Sequence, residues 1–233
     1  MPNKGSIIMI PCPIVEGKVI SLPPETIGKL HDTQYFIVER AKTARHFIKS
    51  TNHPLPISNL VIFELNDNQS ELHQFLNFTL QGHNIGVISE AGCPGIADPG
   101  ADVVAWAHLH QIKVIPLVGP SSILMALMAS GMNGQNFTFN GYLSNKKPEL
   151  IQQLKGLESK VVKSAQTQIW IETPYRNRFM IETILQTLHN NTLLCIACDI
   201  NGLQEFIQSK KVMEWRKVDL NHIQKVPCIY LIG

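Results

Sequence analysis

A glycine- and proline-rich segment in the middle of the chain is the first candidate for chemistry. ISEAGCPGIADPGADVVAWA runs from Ile88 to Ala107, where an apolar strand ends at Ser89 and a helix begins near Ala101. Ligands in open α/β sheets bind outside the carboxyl ends of such strands. Glycines let the backbone approach a ligand closely, and prolines fix the shape of the loop. The segment predicts a ligand-binding loop, with a rigid turn capped by Asp98 as the alternative.

Three acidic side chains near the predicted loops could serve as general bases, namely Glu39, Glu90 and Asp98. A hydroxyl group is a poor nucleophile, so a carboxylate that accepts its proton would accelerate a transfer reaction. Carboxylates at such positions also cap helices or support loops. The three residues are therefore catalytic candidates, each with a structural alternative.

A stripe of positive charge is the second candidate site. Four basic side chains recur at the spacing i, i+3, i+4, i+7, which places them on one face of a helix: Lys42, Arg45, His46 and Lys49. Apolar residues lie on another face of it: Ala44, Phe47 and Ile48. Lys146 and Lys147 follow the FNGYL segment, and Arg176 and Arg178 add further charge. These cations predict contacts to RNA phosphates, with a solvated helix face as the alternative.

One cysteine pair has the spacing of a metal or redox motif, Cys195 and Cys198 in LLCIACDI. No second CxxC and no nearby pair of histidines accompanies it in the sequence. The surroundings are continuously apolar and indicate a buried strand, in which residues three apart lie on opposite faces. The sequence therefore predicts two buried core cysteines and no metal site.

Short apolar runs alternate with helical patterns along the chain, which is the order of an α/β fold. In the first half, strands are predicted at 6–10, 35–38, 60–65, 85–89 and 113–118, with helices at 70–82 and 100–111. In the second half, helices are predicted at 122–130, 148–163 and 177–189, with strands at 137–143, 168–172, 192–199, 205–211 and 228–232. The first sheet is expected to be mainly parallel and the second mixed, in two domains that span 1–118 and 119–233.

Composition limits the class of protein. The chain has 233 residues, of which 44% are hydrophobic and 16% charged, enough for one large or two small α/β domains. Its net charge of +2 neither requires nor excludes a polyanionic partner. The longest apolar stretch, 123–129, is far shorter than the roughly 18 residues that cross a bilayer. Five cysteines and no targeting segment predict a soluble, cytoplasmic protein without a disulfide framework.

Several blocks of the sequence together resemble one known family. VISEAGCPGIADPGADVV and VIPLVGPSSILMALMASGMNGQNFTFNGYL, with IWIETPYRNR and PCIYLIG, resemble the tetrapyrrole methylase superfamily, the class III methyltransferases. More narrowly, they resemble the branch of the small-subunit ribosomal RNA 2′-O-ribose cytidine methyltransferase. The resemblance covers nearly the whole chain. It implies two α/β domains with S-adenosylmethionine in the cleft between them, and it implies a homodimer, which the apolar SSILMALMAS helix and three tryptophans also favour.

The same resemblance assigns residues to the cofactor site. In the first half and at the GPS turn, which begins at Gly119, the implied cofactor-binding residues are Pro11, Ala91, Gly92, Cys93, Ile96, Ala97, Ser121 and Ser122. In the second half they are Ile171, Glu172, Ala197 and Pro227. Backbone groups of a tight loop can bind the amino-acid part of the cofactor while apolar side chains flank its adenine.

Two segments depart from the pattern of the branch. The loop after the first strand reads PCPIVEGKVISLPP where the branch has TPIGNLxD, and VERAKTAR stands where it has AEDTR. Pro11, Pro13, Ile14 and Glu39 are the retained positions. Because these loops face the substrate in the branch, the departures concern the acceptor more than the cofactor.

Other enzyme classes are disfavoured. The chain has no GxGxxG fingerprint of a dinucleotide fold, and GPSSI lacks the second glycine of a nucleophile elbow. The sequence thus predicts a methyltransferase that uses S-adenosylmethionine to methylate ribose 2′-hydroxyls of small-subunit ribosomal RNA. The alternatives are a methyltransferase for a tetrapyrrole or another small molecule, and a non-catalytic relative that binds RNA or a protein partner.

Overall fold

The structure is a computed structural model that describes residues 4–65 and 68–233. The chain divides into two compact units, Met1–Ser121 (unit 1) and Ser122–Gly233 (unit 2). Within the described residues, no helix is both long and apolar enough to cross a membrane.

Unit 1 contains a parallel five-stranded sheet. Its strands are β1 (Ser6–Ile10), β2 (Tyr35–Val38), β3 (Val61–Glu64), β4 (Ile85–Ile88) and β5 (Lys113–Pro116), in the order β3-β2-β4-β1-β5. Its helices are α1 (Pro24–His31), α2 (Ala41–Ser50), α3 (Gln69–Leu76) and α4 (Ala101–Leu109), with 3₁₀ turns at Val19–Ser21, Ile57–Asn59 and Asn77–Gln81. The central strands are apolar on both faces because helices cover both.

The two faces of this sheet carry different helices. Leu30 of α1 and Ile48 of α2 pack in one core, and Leu76 of α3 and Val103 of α4 pack in the other. The chain leaves β1 for α1, whereas it leaves β4 for α4. The adjacent strands β1 and β4 therefore send their connections to opposite faces, which makes the crevice between their carboxyl ends a topological switch point.

Unit 2 contains a mixed five-stranded sheet. Its strands are β6 (Phe137–Tyr142), β7 (Thr167–Glu172), β8 (Leu193–Cys198), β9 (Phe206–Lys211) and β10 (Cys228–Ile232), in the order β6-β7-β10-β8-β9. Only the β6–β7 pair is parallel. Its helices are α5 (Ser122–Ser130), α6 (Lys147–Ser164), α7 (Asn177–Thr187) and α8 (Val212–Trp215), with 3₁₀ turns at Pro174–Arg176 and Asn221–Ile223. The predicted α/β class, with one parallel and one mixed sheet, is confirmed.

The cysteines of β8 are buried as predicted, and they lie on opposite faces. Cys195 packs in the core beside α5, and Cys198 packs in the core beside α6 and α7. The sequence predicts no disulfide framework, and the structure differs at one place, where Cys198 forms a disulfide with Cys228. Those residues are 30 positions apart and become direct neighbours only through the register of β8 and β10. Cys12, Cys93 and Cys195 are free thiols.

Candidate active site

The predicted ligand-binding loop lies at the switch point of unit 1. Cys12, just after β1, and Gly92, after β4, form an isolated antiparallel bridge. The Cys12 N–H donates to the Gly92 carbonyl at 2.8 Å, and the Gly92 N–H donates to the Cys12 carbonyl at 3.1 Å. Gly92 has φ of +71°, a conformation that side chains rarely adopt. The two loops are thus joined where an α/β sheet binds its ligand.

The GPS turn that follows β5 packs on the same bridge. A Cβ atom built on Gly119 would lie 2.2 Å from the Cβ atom of Pro11, so only glycine fits there. The Cys93 Sγ lies 3.4 Å from the Pro120 carbonyl oxygen. The structure therefore brings the predicted residues Pro11, Gly92 and Cys93 together with this turn, which continues to Ser121.

The rest of the loop is tightly wound and does not use Asp98 as a helix cap. The Gly95 N–H donates to the Pro99 carbonyl at 3.2 Å, and Ala97 adopts φ of +63° although it has a side chain. Ile96 projects outward, and Ala91 is exposed. Gly100 is the N-cap residue of α4 and no side chain caps that helix, so the alternative role proposed for Asp98 is wrong.

All three catalytic candidates converge near this loop. The pKa of Asp98 is raised from 3.8 to about 6. Partial burial is the largest cause, the negative charges of Glu39 and Glu90 add to it, and a hydrogen bond with Ser89 acts in the opposite direction. Glu39 follows β2 and Glu90 follows β4, and these paired strands end side by side with Val38 opposite Ile88. The carboxylates therefore leave the same edge of the sheet, beside the loop that carries Asp98. A carboxyl group with a pKa near 6 is suited to accept a proton close to neutral pH.

The other two carboxylates are held differently. The Thr43 hydroxyl of α2 donates to Glu90 Oε1 at 2.5 Å, which ties Glu90 to the helix. The Glu39 Oε2 atom is buried and has no hydrogen-bond partner within the described part of the chain. A buried, unpaired carboxylate oxygen is costly, so this atom is available for a donor that a ligand would bring.

The neighbouring thiols are not arranged as nucleophiles. Burial raises the pKa of the Cys12 thiol, and the charges of Glu90 and Asp98 raise it further. Burial likewise raises the pKa of Cys93, with a further contribution from Asp98. Both side chains are therefore protonated thiols at neutral pH, which excludes thiolate chemistry at this loop.

A cavity of about 1130 Å³ opens beside the loop within unit 1. Its walls come from the segment after β1, from α2, from the segment after α2, and from Ser89 and Glu90. Lys42, Arg45 and Lys49 line it, and none of their side chains forms an ion pair or a hydrogen bond with another described residue. These three cations of the predicted basic stripe are thus exposed and unneutralised next to the acidic cluster.

Both segments that depart from the family pattern form walls of this cavity. The segment PCPIVEGKVI contributes Pro13, Ile14 and Glu16, and VERAKTAR contributes the first turns of α2. Glu16 Oε1 lies 3.6 Å from His46 Nε2, and both side chains are exposed. The divergence from the branch is therefore concentrated at one concave surface.

Three further residues of this region support the site and were not predicted from the sequence. Thr43 holds Glu90, Ser89 bonds Asp98, and Glu64 Oε2 accepts the Ala41 N–H at 2.6 Å and so caps α2 from the end of β3. Thr43 and Glu64 become neighbours of their partners only when parallel strands are aligned, whereas Ser89 and Asp98 lie in the same loop. No local spacing in the sequence marks them.

The predicted cofactor residues of unit 2 do not form one cluster. Ile171 and Ala197 lie on either side of Ile229 in the sheet, on the face covered by α5. Glu172 lies on the opposite face and is buried, where Oε1 accepts the Thr173 N–H at 2.7 Å. Pro227 is exposed, and Ser122 is the first residue of α5. A cofactor role for these residues stays a prediction.

The predicted RNA-binding lysines lie in different units. Lys146 and Lys147 are at the start of α6 in unit 2, where Lys146 Nζ lies 3.2 Å from Glu149 Oε1. Arg176 and Arg178 are engaged within the chain, with Glu172 and Glu182 respectively. Among residues 4–65 and 68–233, no group of three or more His, Cys, Asp or Glu side chains is placed to hold a metal ion.

Comparisons with known proteins point in one direction. No family model matches the chain. The ribosomal RNA small subunit methyltransferase I of Buchnera aphidicola subsp. Schizaphis graminum is 31% identical over 225 residues, which cover 92% of this chain and 78% of that protein. The protein of the same name from Bacillus subtilis is 28% identical over 86% of this chain and 71% of its own length.

Solved structures share the fold. Uroporphyrin-III-C-methyltransferase from Thermus thermophilus matches with a TM-score of 0.56 at 13% identity, covering 98% of this chain and 92% of the other. The methyltransferase CobJ matches with a TM-score of 0.61 at 14% identity, covering 99% and 94% respectively. At this level of identity the likeness concerns the fold alone.

Proposed function

The chain belongs to the ribosomal RNA small subunit methyltransferase I family, and we propose that it transfers a methyl group from S-adenosylmethionine to a ribose 2′-hydroxyl of small-subunit ribosomal RNA. One observation carries the proposal. The glycine-rich loop at the switch point of unit 1 lies beside an acidic cluster and a cavity lined by three unpaired cations. Such a reaction requires a donor site, a proton acceptor and a surface for phosphates, and the three features correspond to these requirements. We propose the cytoplasm as the place where the protein acts.

The residues around the Cys12–Gly92 bridge fit the proposed donor. S-adenosylmethionine carries an ammonium group and ribose hydroxyls, and the buried Glu39 Oε2 atom can accept a hydrogen bond from such a group. Gly92 has a φ that side chains rarely adopt, and Gly119 packs against Pro11, so these glycines let the two loops lie close together at the proposed donor site. When bound, the cofactor supplies an electrophilic methyl carbon. The chain's contribution is to orient the partners and exclude water.

Asp98 is the proposed proton acceptor. A ribose hydroxyl must lose its proton during methyl transfer, and a base with a pKa near the working pH performs this step best. Asp98, with a pKa of about 6, is ionised at neutral pH and yet binds a proton more readily than an ordinary aspartate. Glu90 is fixed by Thr43, so its role is to hold the loop and to raise the pKa of Asp98.

The exposed cations of α2 are the proposed contacts to the RNA backbone. Replacing Lys42, Arg45 and Lys49 together with alanine is expected to weaken RNA affinity and to reduce the slope of log affinity against log salt. The slope should fall by roughly one unit for each phosphate that the variant no longer binds, or about three in all. Fluorescence anisotropy with small-subunit ribosomal RNA fragments over a range of salt concentrations measures both quantities.

The same triple variant should keep the cofactor affinity of wild type, because the donor loop carries no basic residue. A small tetrapyrrole acceptor would show a much smaller salt effect, since it lacks the condensed counterions of RNA. If the triple variant keeps the RNA affinity and the salt slope of wild type, then the stripe does not bind the RNA backbone.

We also propose a homodimer, supported by the outer face of α5. Leu124 and Met128 are exposed and lie one turn apart on that helix. The three tryptophans, in contrast, are buried within the units and do not support an interface. Light scattering should give about twice the chain mass of 26.1 kDa. The double substitution Leu124→Glu and Met128→Glu should give the monomer, whereas Leu203→Glu, at a fully exposed site, should not.

A further inference from the structure

An aromatic and basic surface lies in unit 2 where β6 and β7 end. The two strands are parallel neighbours, so their carboxyl ends meet at one edge of the sheet. Tyr142 ends β6 and is 58% exposed, and Tyr175 follows β7 by three residues and is 82% exposed. Lys146 and Lys147 follow β6 at the same edge. These four residues are called the tyrosine–lysine edge below.

Contacts within unit 2 hold the tyrosine–lysine edge in place. Arg176 Nη2 donates to the carbonyl oxygen of Ser144 at 3.1 Å, and it lies 3.1 Å from Oε2 of the buried Glu172. The turn that carries Tyr175 is thereby joined to the loop that leads to Lys146. In β6, the register shifts between Phe139 and Tyr142, and such a bulge redirects the side chain that follows it. A surface fixed in this way loses little entropy when it binds.

The lysines of the edge can still meet a polyanion. Lys147 Nζ contacts the neutral amide oxygen of Gln186 at 3.3 Å, so its charge is not cancelled. Lys146 is paired with Glu149, but both side chains are more than half exposed, and exposed pairs contribute little. Lys146 can therefore leave Glu149 and contact a phosphate group at a small cost in free energy.

We propose that the tyrosine–lysine edge binds an unpaired stretch of the RNA substrate. Exposed tyrosine rings present flat faces on which bases stack, and adjacent lysines contact the phosphates between them. A duplex cannot use such rings, because its base faces are already stacked on one another. The inference rests on the proposed function, since it assigns to unit 2 a second contact to the same RNA.

The test compares Tyr175→Ala with Tyr175→Phe in the full chain. A short unstructured RNA and a version of it with abasic residues serve as probes in fluorescence anisotropy. We expect Tyr175→Ala to weaken binding of the intact RNA by roughly 5- to 100-fold, which is the effect of removing one aromatic ring on which a base stacks. Tyr175→Phe should stay within about twofold of wild type because it keeps the ring. With abasic RNA, wild type and Tyr175→Ala should bind equally.

Controls separate this inference from the proposal beneath it. Leu203→Ala, at a fully exposed site of unit 2, should leave RNA binding unchanged. A wild-type protein that binds no RNA would overturn the proposed function and this inference with it. If wild type binds RNA, the inference alone fails on any of three results. These are unchanged affinity in Tyr175→Ala, equal losses in the Phe and Ala variants, or a change of oligomeric state in Tyr175→Ala.

Discussion

Replacing Asp98 with asparagine is expected to lower kcat/KM for methyl transfer by roughly 10²- to 10⁴-fold, the usual contribution of a general base. Wild-type activity should fall as the pH drops below about 6, because the carboxylate of Asp98 becomes protonated. The variant should lose this pH dependence together with the activity. Pre-steady-state methyl transfer measured from about pH 5 to about pH 8 tests both statements.

The matched control is Glu90→Gln, which keeps an amide oxygen to accept the Thr43 hydroxyl. Its rate should fall by less than about tenfold, since Glu90 is a positioning residue in this account. If Asp98→Asn has the wild-type rate, or if Glu90→Gln lowers the rate more than Asp98→Asn does, then Asp98 is not the general base.

The same Asp98 substitution should stabilise the fold at neutral pH. The pKa of Asp98 in the folded state lies above its ordinary value of 3.8, so as the pH rises Asp98 ionises in the unfolded chain before it ionises in the folded one. The free energy of unfolding therefore falls as the pH rises from about 4 to about 6. The full difference corresponds to about 3 kcal/mol, which solvent screening of this half-exposed group reduces to about 1 kcal/mol. Asp98→Asn should therefore unfold at higher denaturant concentration at about pH 8, and the advantage should vanish below about pH 4, where Asp98 is neutral in both states.

Gly119→Ala is expected to produce the largest loss of cofactor binding. The new Cβ atom would lie 2.2 Å from Pro11 Cβ and 2.5 Å from Pro11 Cγ, so the GPS turn must move away from the Cys12–Gly92 bridge. We expect S-adenosylmethionine affinity to fall at least about tenfold, or 1.4 kcal/mol, in calorimetry under metal-free conditions. Wild type should bind the cofactor there without added metal.

Gly156→Ala is the control for this glycine. A Cβ atom at Gly156 in α6 meets no other atom within 4 Å, so alanine should favour the helix and leave cofactor affinity unchanged. Unchanged affinity in Gly119→Ala would show that the turn does not form part of the donor site. Absence of cofactor binding to wild type would contradict the proposed function itself.

The order and type of most elements could be predicted from the sequence, because each one carries its own periodicity. β1, β2, α5 and β10 have the predicted bounds. β5 ends at Pro116, two residues early. α1 was not predicted from the sequence. It begins at Pro24, which occupies the first helical position, where proline is tolerated. α8, a single turn, gave no periodic signal.

The site was predictable as a set of residues but not as an arrangement. The loop from Ala91 to Ala97 could be identified by composition and resemblance, since both are local properties. The convergence of Glu39, Glu90 and Asp98 depends on β2 and β4 being adjacent, and strand order is not encoded in any local spacing. The Cys198–Cys228 disulfide and the Thr43–Glu90 contact were missed for the same reason.

The most direct test of the central claim is to map methyl groups on small ribosomal subunits incubated with the purified protein and labelled S-adenosylmethionine. Alkaline hydrolysis distinguishes the products, because a 2′-O-methyl group blocks cleavage at its nucleotide. The account predicts label in the small-subunit ribosomal RNA, at a ribose 2′-oxygen, with wild type and a strongly reduced amount with Asp98→Asn. Label on a base, or no transfer to RNA, would contradict it.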